Sequence, residues 1–257
     1  MSVYNGMPYL KDAVESILNQ TYKNFEFIIV CDASTDNSWK YLKSLKEKRI
    51  RLINNKKNLG LAASLNKALE LATGDYIARM DADDISLLRR LDIQFDFMTK
   101  NPDIDICGAW ALLIDEKGTV IKAVHKPTED AKIKKMNNWL AGLIHPTWFA
   151  KKKVFKKLDG YNAVYDMVED YDFLIRAKEF KMANIDKELL LWRSASNRRS
   201  QKNIQEMYEK SFAVKWNYFK KGDFGLLYMP LLIRSFITTY LFPTRLKVYL
   251  NKKAGVL

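Results

Sequence analysis

The chain has 257 residues, of which 48% are hydrophobic, enough to bury one sizeable core and to exclude a disordered polypeptide. Its 43 Lys and Arg against 30 Asp and Glu leave a formal net charge of +13, so its partners are anionic: nucleic acid, a nucleotide-bearing substrate or a membrane surface. The cysteines, Cys31 and Cys107, sit in apolar strand-like runs without CxxC or Cys/His spacing, which excludes a structural zinc and predicts buried thiols in a reducing compartment. No charged-then-apolar leader marks the chain for secretion.

The first hundred residues alternate apolar runs with helix-period segments, the pattern of a mostly parallel sheet covered by helices. In chain order the predicted elements are a short strand at "MSVYN", helix "YLKDAVESILNQ", strand "FEFIIVCD", helix "DNSWKYLKSLKEK", strand "IRLINN", helix "LAASLNKALELAT" and strand "DYIARMD". Gly74 is expected to cap the helix before the last of these. Ligands of such sheets sit beyond the carboxyl ends of the strands, and those ends carry Tyr4-Asn5, Asp32, Asn54-Asn55 and the group Asp81, Asp83 and Asp84. A long helix at "SLLRRLDIQFDFMTKN" follows, then strand "IDICGAWALLID", a turn at Glu116-Lys117-Gly118 and strand "TVIKAV", which together read as a hairpin excursion. The second half is expected to build another wall of the same site.

Three carboxylates within four positions repel one another unless a cation lies between them. Hard oxygen ligands of this kind suit Mg²⁺ or Mn²⁺, which take one or two carboxylates plus phosphate oxygens. Capping of the next helix is the alternative use of the same residues. At the second strand tip, "CDASTDNS" offers Asp32 as an acceptor for a nucleobase N–H or a ribose hydroxyl, or else forms an Asx turn, with Ser34, Thr35 and Asp36 as helix-capping residues. Neither G-x-G-x-x-G nor G-x-x-x-x-G-K-[ST] occurs, so a dinucleotide site and a P-loop are excluded and phosphate charge needs another partner.

In "MVEDYDFLIR" the spacing of Asp172 and Arg176 predicts an i, i+4 pair, leaving Asp170, with Glu169, for base work. His145 precedes a proline and is expected in extended backbone. Trp148 and Trp192 are candidates for stacking on a sugar face or for the core, and Arg193 for holding a diphosphate or for solvent. No role is assigned to His125.

Taken together, "SVYNG", "IVCDASTDNS", "NNKKNLGLAASLNKALELATGDYIARMDADD", "HPT", "GYNAVYDMVEDYDFLIR" and "LLLWR" resemble the family 2 glycosyltransferases of GT-A fold, from residue 1 to about Arg193. The resemblance implies an α/β nucleotide-diphospho-sugar transferase fold: a Rossmann-like, mostly parallel sheet with an additional acceptor-side half and a helical C-terminal tail. It implies transfer of a sugar from a nucleoside diphosphate, usually UDP, to an acceptor hydroxyl with inversion, in surface polysaccharide synthesis. On matching positions Tyr4 and Asp32 are expected at the nucleobase, Asp81 at the ribose or donor sugar, with Arg79 and Arg193 in the same donor-binding set. Asp83 is expected to hold Mn²⁺ or Mg²⁺ across the diphosphate, Asp170 of the Glu169-Asp170 pair to deprotonate the acceptor, and His145 and Trp148 to contact it.

The sequence departs from the family in three places. The family's first strand has several apolar residues before the serine that here follows Met1, so the sheet is expected to be weakened at its centre. Cys31-Asp32-Ala33 stands where two acids often precede a glycine-serine turn, leaving nucleobase contact to Asp32 alone. "WRSASNRRS" lacks a histidine that can complete the metal shell.

The resemblance implies a nucleotide-sugar half, residues 1–100, and an acceptor half, 101–214, and composition sets off a tail, 215–257, rich in basic and aromatic residues with Asp223 as the single acid. Pro230 and Arg234 break its apolar run, which therefore reads as an interfacial segment holding the protein at the cytoplasmic membrane face, near a glycan or lipid-linked glycan acceptor. Packing of the tail on the catalytic domain, or pairing of two subunits through it, is the alternative. A nucleotidyltransferase and a membrane-docked sugar-nucleotide binder without turnover are the other functional readings. Nucleic acid is set aside because the basic residues crowd the tail rather than forming a base-reading module.

Overall fold

A computed structural model of the chain describes residues 1–194 and 203–254. The first half delivers β1 (Ser2–Val3), α1 (Leu10–Leu18), β2 (Phe27–Cys31), α2 (Ser38–Ser44), β3 (Ile50–Asn54), α3 (Leu61–Leu71) and β4 (Tyr76–Ala78). Strand β2 is buried at every position, as expected of an apolar strand covered on both faces. Helix α1 buries Leu10, Ala13, Val14 and Ile17, one stripe at i, i+3, i+4, i+7, against it. Strands β1, β2 and β3 pair in parallel with Val3, Cys31 and Asn54 in register, so the predicted polar tips do emerge side by side.

The remaining elements are β5 (Ile85–Ser86), α4 (Arg90–Lys100), β6 (Ile106–Ile114), β7 (Val120–Val124), α5 (Asp130–Asn137), β8 (Phe149–Lys151), α6 (Lys152–Lys157), α7 (Glu169–Arg176) and β9 (Met182–Arg193). They form a second sheet in the order β4-β8-β6-β9-β5, with β7 hairpinned onto β6 as predicted. Strand β6 pairs in parallel with β9, while its pairing to β8, and those of β4 to β8 and β5 to β9, are antiparallel. The parallel character thus holds in the first sheet and along the β6/β9 axis of the second.

Among the described residues no ladder joins β1 to β4, and the sheet divides there. A cleft of about 740 Å³ runs along the seam, bordered by Met1, Phe27, Ile28, Ile77 and Ala78. The Met1 ammonium is buried, donates to the Ile28 carbonyl at 2.9 Å, and is pushed down to about 5 by burial and by Arg79.

Three local expectations are corrected. Helix α3 ends at Leu71 because Ala72 turns extended, and Gly74 is no cap: its N–H, with Thr73 N–H and Oγ1, donates to the Glu26 carboxylate. Ser86 belongs to β5, whose pairing with β9 delays the long helix to Arg90. His145 opens a 3-10 turn, His145–Thr147, and it is Ile144 before it that is extended.

Past the undescribed stretch, α8 (Ile204–Lys220) runs through Lys215, where the composition shifts, followed by α9 (Met229–Phe236), a π-type turn at Ile237–Leu241 and α10 (Thr244–Ala254). Val214 of α8 is fully buried in a cluster with Val168, Tyr171 and Ile175, against which Tyr218 and Phe224 pack, so the tail lies directly on α7. Among the described residues no helix is long and apolar enough to cross a membrane.

Candidate active site

The two loops leaving β1 and β2 are stitched to each other. Asn5, at φ +50°, accepts through Oδ1 from Thr35 N–H at 2.8 Å, its own N–H donates to Ser34 Oγ at 3.0 Å, and Asp36 accepts from the N–H groups of Met7 and Ser38. This leaves the Tyr4 ring half exposed at the mouth of the sheet. The N-cap of α2 falls on Asn37, not on Ser34, Thr35 or Asp36, although Asp36 accepts from the Ser38 N–H at 2.9 Å.

Asp32 lies deeper than the sequence suggested. Only 2% exposed, it accepts from Asn55 Nδ2 at 2.7 Å and from the N–H groups of Leu59 and Gly60, each at 2.9 Å. Its carboxylate is a clamp on the 55–60 loop rather than a surface offered to a base. Gly60, at φ +88°, is required at this point: a Cβ there would sit 2.7 Å from Asp166 Oδ2. Asp166 in turn accepts from Ala62 N–H at 3.2 Å, tying the acceptor half to the N-terminus of α3.

Beyond β4, carboxylate oxygens of Asp81, Asp83 and Asp84 lie within 4.8 Å of one another. Asp81 is ion-paired to Arg79, whose side chain is only 5% exposed. Burial works against the Arg79 charge, but Asp81 beside it holds the guanidinium above its ordinary range. Arg79 therefore stands beneath the cluster as its counter-charge. Fully buried Asp84 accepts from Arg193 N–H at 2.8 Å. Arg193 is neither solvated nor aimed at a ligand: Nε donates to the Asp83 carbonyl at 2.9 Å, Nη1 to the carbonyls of Asp115 and Glu116, and the guanidinium lies 4.3 Å from the Tyr9 ring centre. The diphosphate-holding expectation gives way to a brace between the acidic loop and the hairpin turn. The stretch in which a further metal-binding histidine was sought, from Ala195 to Ser200, lies outside the described residues.

The donor set of the cluster fits a hard divalent ion: three carboxylates converge at one strand tip, and Arg79 and Arg193 offset only part of their charge. Asp83 and Asp81 are the half-buried members that would hold it.

The opposite wall is the N-terminal turn of α7. Glu169 is buried, with Oε2 accepting from Met167 N–H at 2.8 Å. Met167 is held at φ +89°, a conformation costly for a bulky side chain, at the start of the turn that presents the acid pair. Asp170 is half-buried, accepts from Tyr171 N–H, and senses the charges of Arg79 and Asp81. Burial pushes both carboxyls up, and for Glu169 the neighbouring Asp170 charge adds to it. The predicted Asp172–Arg176 pair is present at 2.8 Å, which leaves the acid pair to the cleft. Lys126, pushed down by burial, has Asp170 as its nearby counter-charge and donates to the Ala141 carbonyl.

His145 and Trp148 are corrected. His145 is 7% exposed, its Nε2 is 2.9 Å from the Tyr161 hydroxyl, and its Nδ1 stands 3.8 Å from Glu169 Oε1, too far for a hydrogen bond. Burial, with Arg79 nearby, drives it well below its usual range, so it is a neutral prop behind Glu169. Trp148 is fully buried against His145, Tyr161 and Phe173. We expect Trp148→Ala to cost about 3–5 kcal/mol in urea unfolding without a selective rise in acceptor KM. A raised KM at unchanged stability would restore the sugar-stacking role. Trp192, partly buried against the core around β2, is likewise no free platform.

Sequence reasoning missed Lys126, Tyr161 and Asp166. Each acts through a partner from a remote segment, and no local spacing signals such pairings.

With the geometry in place, the chain can be set beside known proteins. The model for Glycosyl transferase family 2 matches residues 1–159. An uncharacterised glycosyltransferase of Methanocaldococcus jannaschii is 40% identical over 237 residues, covering 87% of this chain and 80% of that protein. The O-antigen biosynthesis glycosyltransferase WbnJ of Escherichia coli is 33% identical over 231 residues, covering 86% and 88%. Among solved structures, S. aureus TarS 1–349 in complex with UDP-GlcNAc superposes with a TM-score of 0.67 at 18% identity, over 83% of this chain and 63% of that one. The mannosyltransferase PcManGT from Pyrobaculum calidifontis, in complex with GDP-Man and Mn²⁺, gives 0.61 at 16% identity, over 100% and 74%. At these identities the structural likeness shows a shared fold.

Proposed function

Because the chain belongs to glycosyltransferase family 2 and has the GT-A fold, we propose that it transfers a sugar from a nucleoside diphosphate, UDP as the first choice, to a glycan hydroxyl with inversion at the anomeric carbon. The observation that carries this reading is the pairing of two acidic walls, Asp170 on α7 and the Asp81, Asp83 and Asp84 group beyond β4, with buried Arg79 between them. Inverting transfer needs one base and one place where leaving-group charge is neutralised. Two such places on one cleft are what a base on one side and a diphosphate on the other require.

Asp170 accepts the proton of the acceptor hydroxyl, whose oxygen forms the new bond to the anomeric carbon. The bond to the diphosphate breaks in line, and its electron pair leaves with the nucleotide. Glu169, buried and anchored to Met167, sets the turn that aims Asp170. Tyr4 lies against the nucleobase, and Asp32 acts one step removed, by fixing the 55–60 loop. A bound Mn²⁺ or Mg²⁺, held by Asp83 and Asp81, supplies Lewis-acid neutralisation of the departing charge. The likeness to a relative named for O-antigen biosynthesis supports a surface polysaccharide as product, and the basic, aromatic composition of the tail supports a lipid-linked glycan at the cytoplasmic membrane face as acceptor.

A panel of UDP- and GDP-sugars, each with and without Mn²⁺, tests the reading through thermal stabilisation and release of the nucleotide. One sugar nucleotide is expected to stabilise the protein in a metal-dependent way and to be consumed. A panel that neither stabilises nor turns over counts against it.

A further inference from the structure

The tail uses two faces. Toward the domain, Tyr228 and Leu232 are buried, the Tyr228 hydroxyl donates to the Asn138 carbonyl, and the Tyr218 hydroxyl donates to Asp172 at 2.9 Å. Away from it, α9 and the turn after it expose Ile233, Phe236, Ile237, Tyr240 and Leu241, an i, i+3, i+4, i+7, i+8 stripe where a helix lying on a protein in water carries polar residues. The turn before α9 exposes Leu226 at 81% and Leu227 at 98%. Phe212 of α8 joins the stripe through ring contacts with Phe236 and Tyr240, and reaches Trp216 by stacking. An apolar surface of this extent needs a cover.

Charge identifies the cover. The side chains of Lys220, Lys221, Arg234 and Arg245 flank the stripe and are exposed. Asp223, the single acid in residues 215–253, is already paired with Lys178. The segment that bears the apolar face thus carries an excess of exposed positive charge, which complements an anionic lipid headgroup layer and opposes a second copy carrying the same charge.

We propose that this face, with Leu226 and Leu227 at its tip and the Ile233 to Leu241 stripe as its body, docks on an anionic bilayer. It deepens the lipid-linked acceptor reading above and rests on it for its purpose, though its physical basis is independent. Helix α9 packs on α8, and α8 packs on α7, so docking orients the acid pair relative to the membrane through α8. Removing the tail is a poor test, because Tyr228 and Leu232 belong to the folded core.

The test is co-sedimentation of the full chain, without donor, with vesicles of phosphatidylcholine alone or mixed with phosphatidylglycerol, alongside light scattering. Binding is expected to the mixed vesicles, with weakening in salt, and not to phosphatidylcholine alone. The double variant Leu226→Ser/Leu227→Ser, at positions too exposed to affect folding, is expected to bind on the order of a hundredfold more weakly at an unchanged melting temperature. No vesicle binding by the intact chain, unchanged binding by the variant, or a dimer in solution that the variant dissolves would each overturn the proposal, the last in favour of a second copy. Donor hydrolysis, measured separately, distinguishes the two readings: its loss with vesicle binding intact strikes only at the catalytic assignment.

Discussion

Asp170→Asn is expected to lower the turnover number for sugar transfer by about 10²–10⁴-fold while leaving donor binding in place. The substitution keeps the shape of the side chain and removes only its capacity to take a proton. Of the acids on α7, Asp172 is committed to Arg176 and to the Tyr218 hydroxyl, and Glu169 is buried with one oxygen on Met167 N–H. Of the three, Asp170 alone is half exposed. Burial raises its pKa, and Glu169, Arg79, Lys126 and Asp81 are the charged groups around it. A base with a raised pKa loses its ionised form earlier as pH falls. The acidic limb of kcat should therefore lie above the ordinary aspartate range. Single-turnover transfer with a saturating donor checks the rate, and a normal rate in the variant would move the role to Glu169 or elsewhere.

Asp83→Ala is expected to reduce transfer to background and to erase the Mn²⁺-dependent part of stabilisation by UDP. The bond that Arg193 Nε makes to this residue goes to the backbone carbonyl, which alanine retains. In the same cluster Asp81 faces Arg79 and Asp84 caps Arg193 N–H, so changing either disturbs the protein as well as the ion site. Full activity in EDTA, or an unaltered metal response in the variant, would defeat the assignment.

The parallel half was legible because its signals are local: Phe27–Cys31 is apolar at every position, and each strand hands over to polar residues at its carboxyl end. The acid clusters were legible for the same reason. What stayed hidden depends on contacts between distant segments. Nothing near Tyr76 says that it will face Lys151 in an antiparallel pair, or that Ser86 will lie opposite Leu190. Trp148 and His145 looked like acceptor contacts because aromatic and imidazole side chains suit that task. Only the packing of Tyr161 and Phe173 around them reveals a prop and a core residue. Asp32 and Arg193 carry the residue types expected at a nucleotide, yet their partners, the 55–60 loop and the carbonyls of Asp83, Asp115 and Glu116, turn them inward. The tail misled in part. Its composition left open an outward face or packing on the domain, and the buried Tyr228, bonded to the Asn138 carbonyl, shows that part of it packs back.

The seam between β1 and β4 bears on how the molecule opens. A continuous ladder would force both sides to unfold together, because breaking one strand pair exposes the next. Here the two sheets are linked by side-chain bonds, such as Gln20 Nε2 to the Leu87 carbonyl at 2.8 Å and the reciprocal pair between Asn66 and Tyr161, and by apolar contact. Among the described residues, opening along the seam therefore breaks side-chain bonds and part of the apolar core that Phe27, Ile29, Met80, Ala111 and Leu190 share, and no backbone ladder.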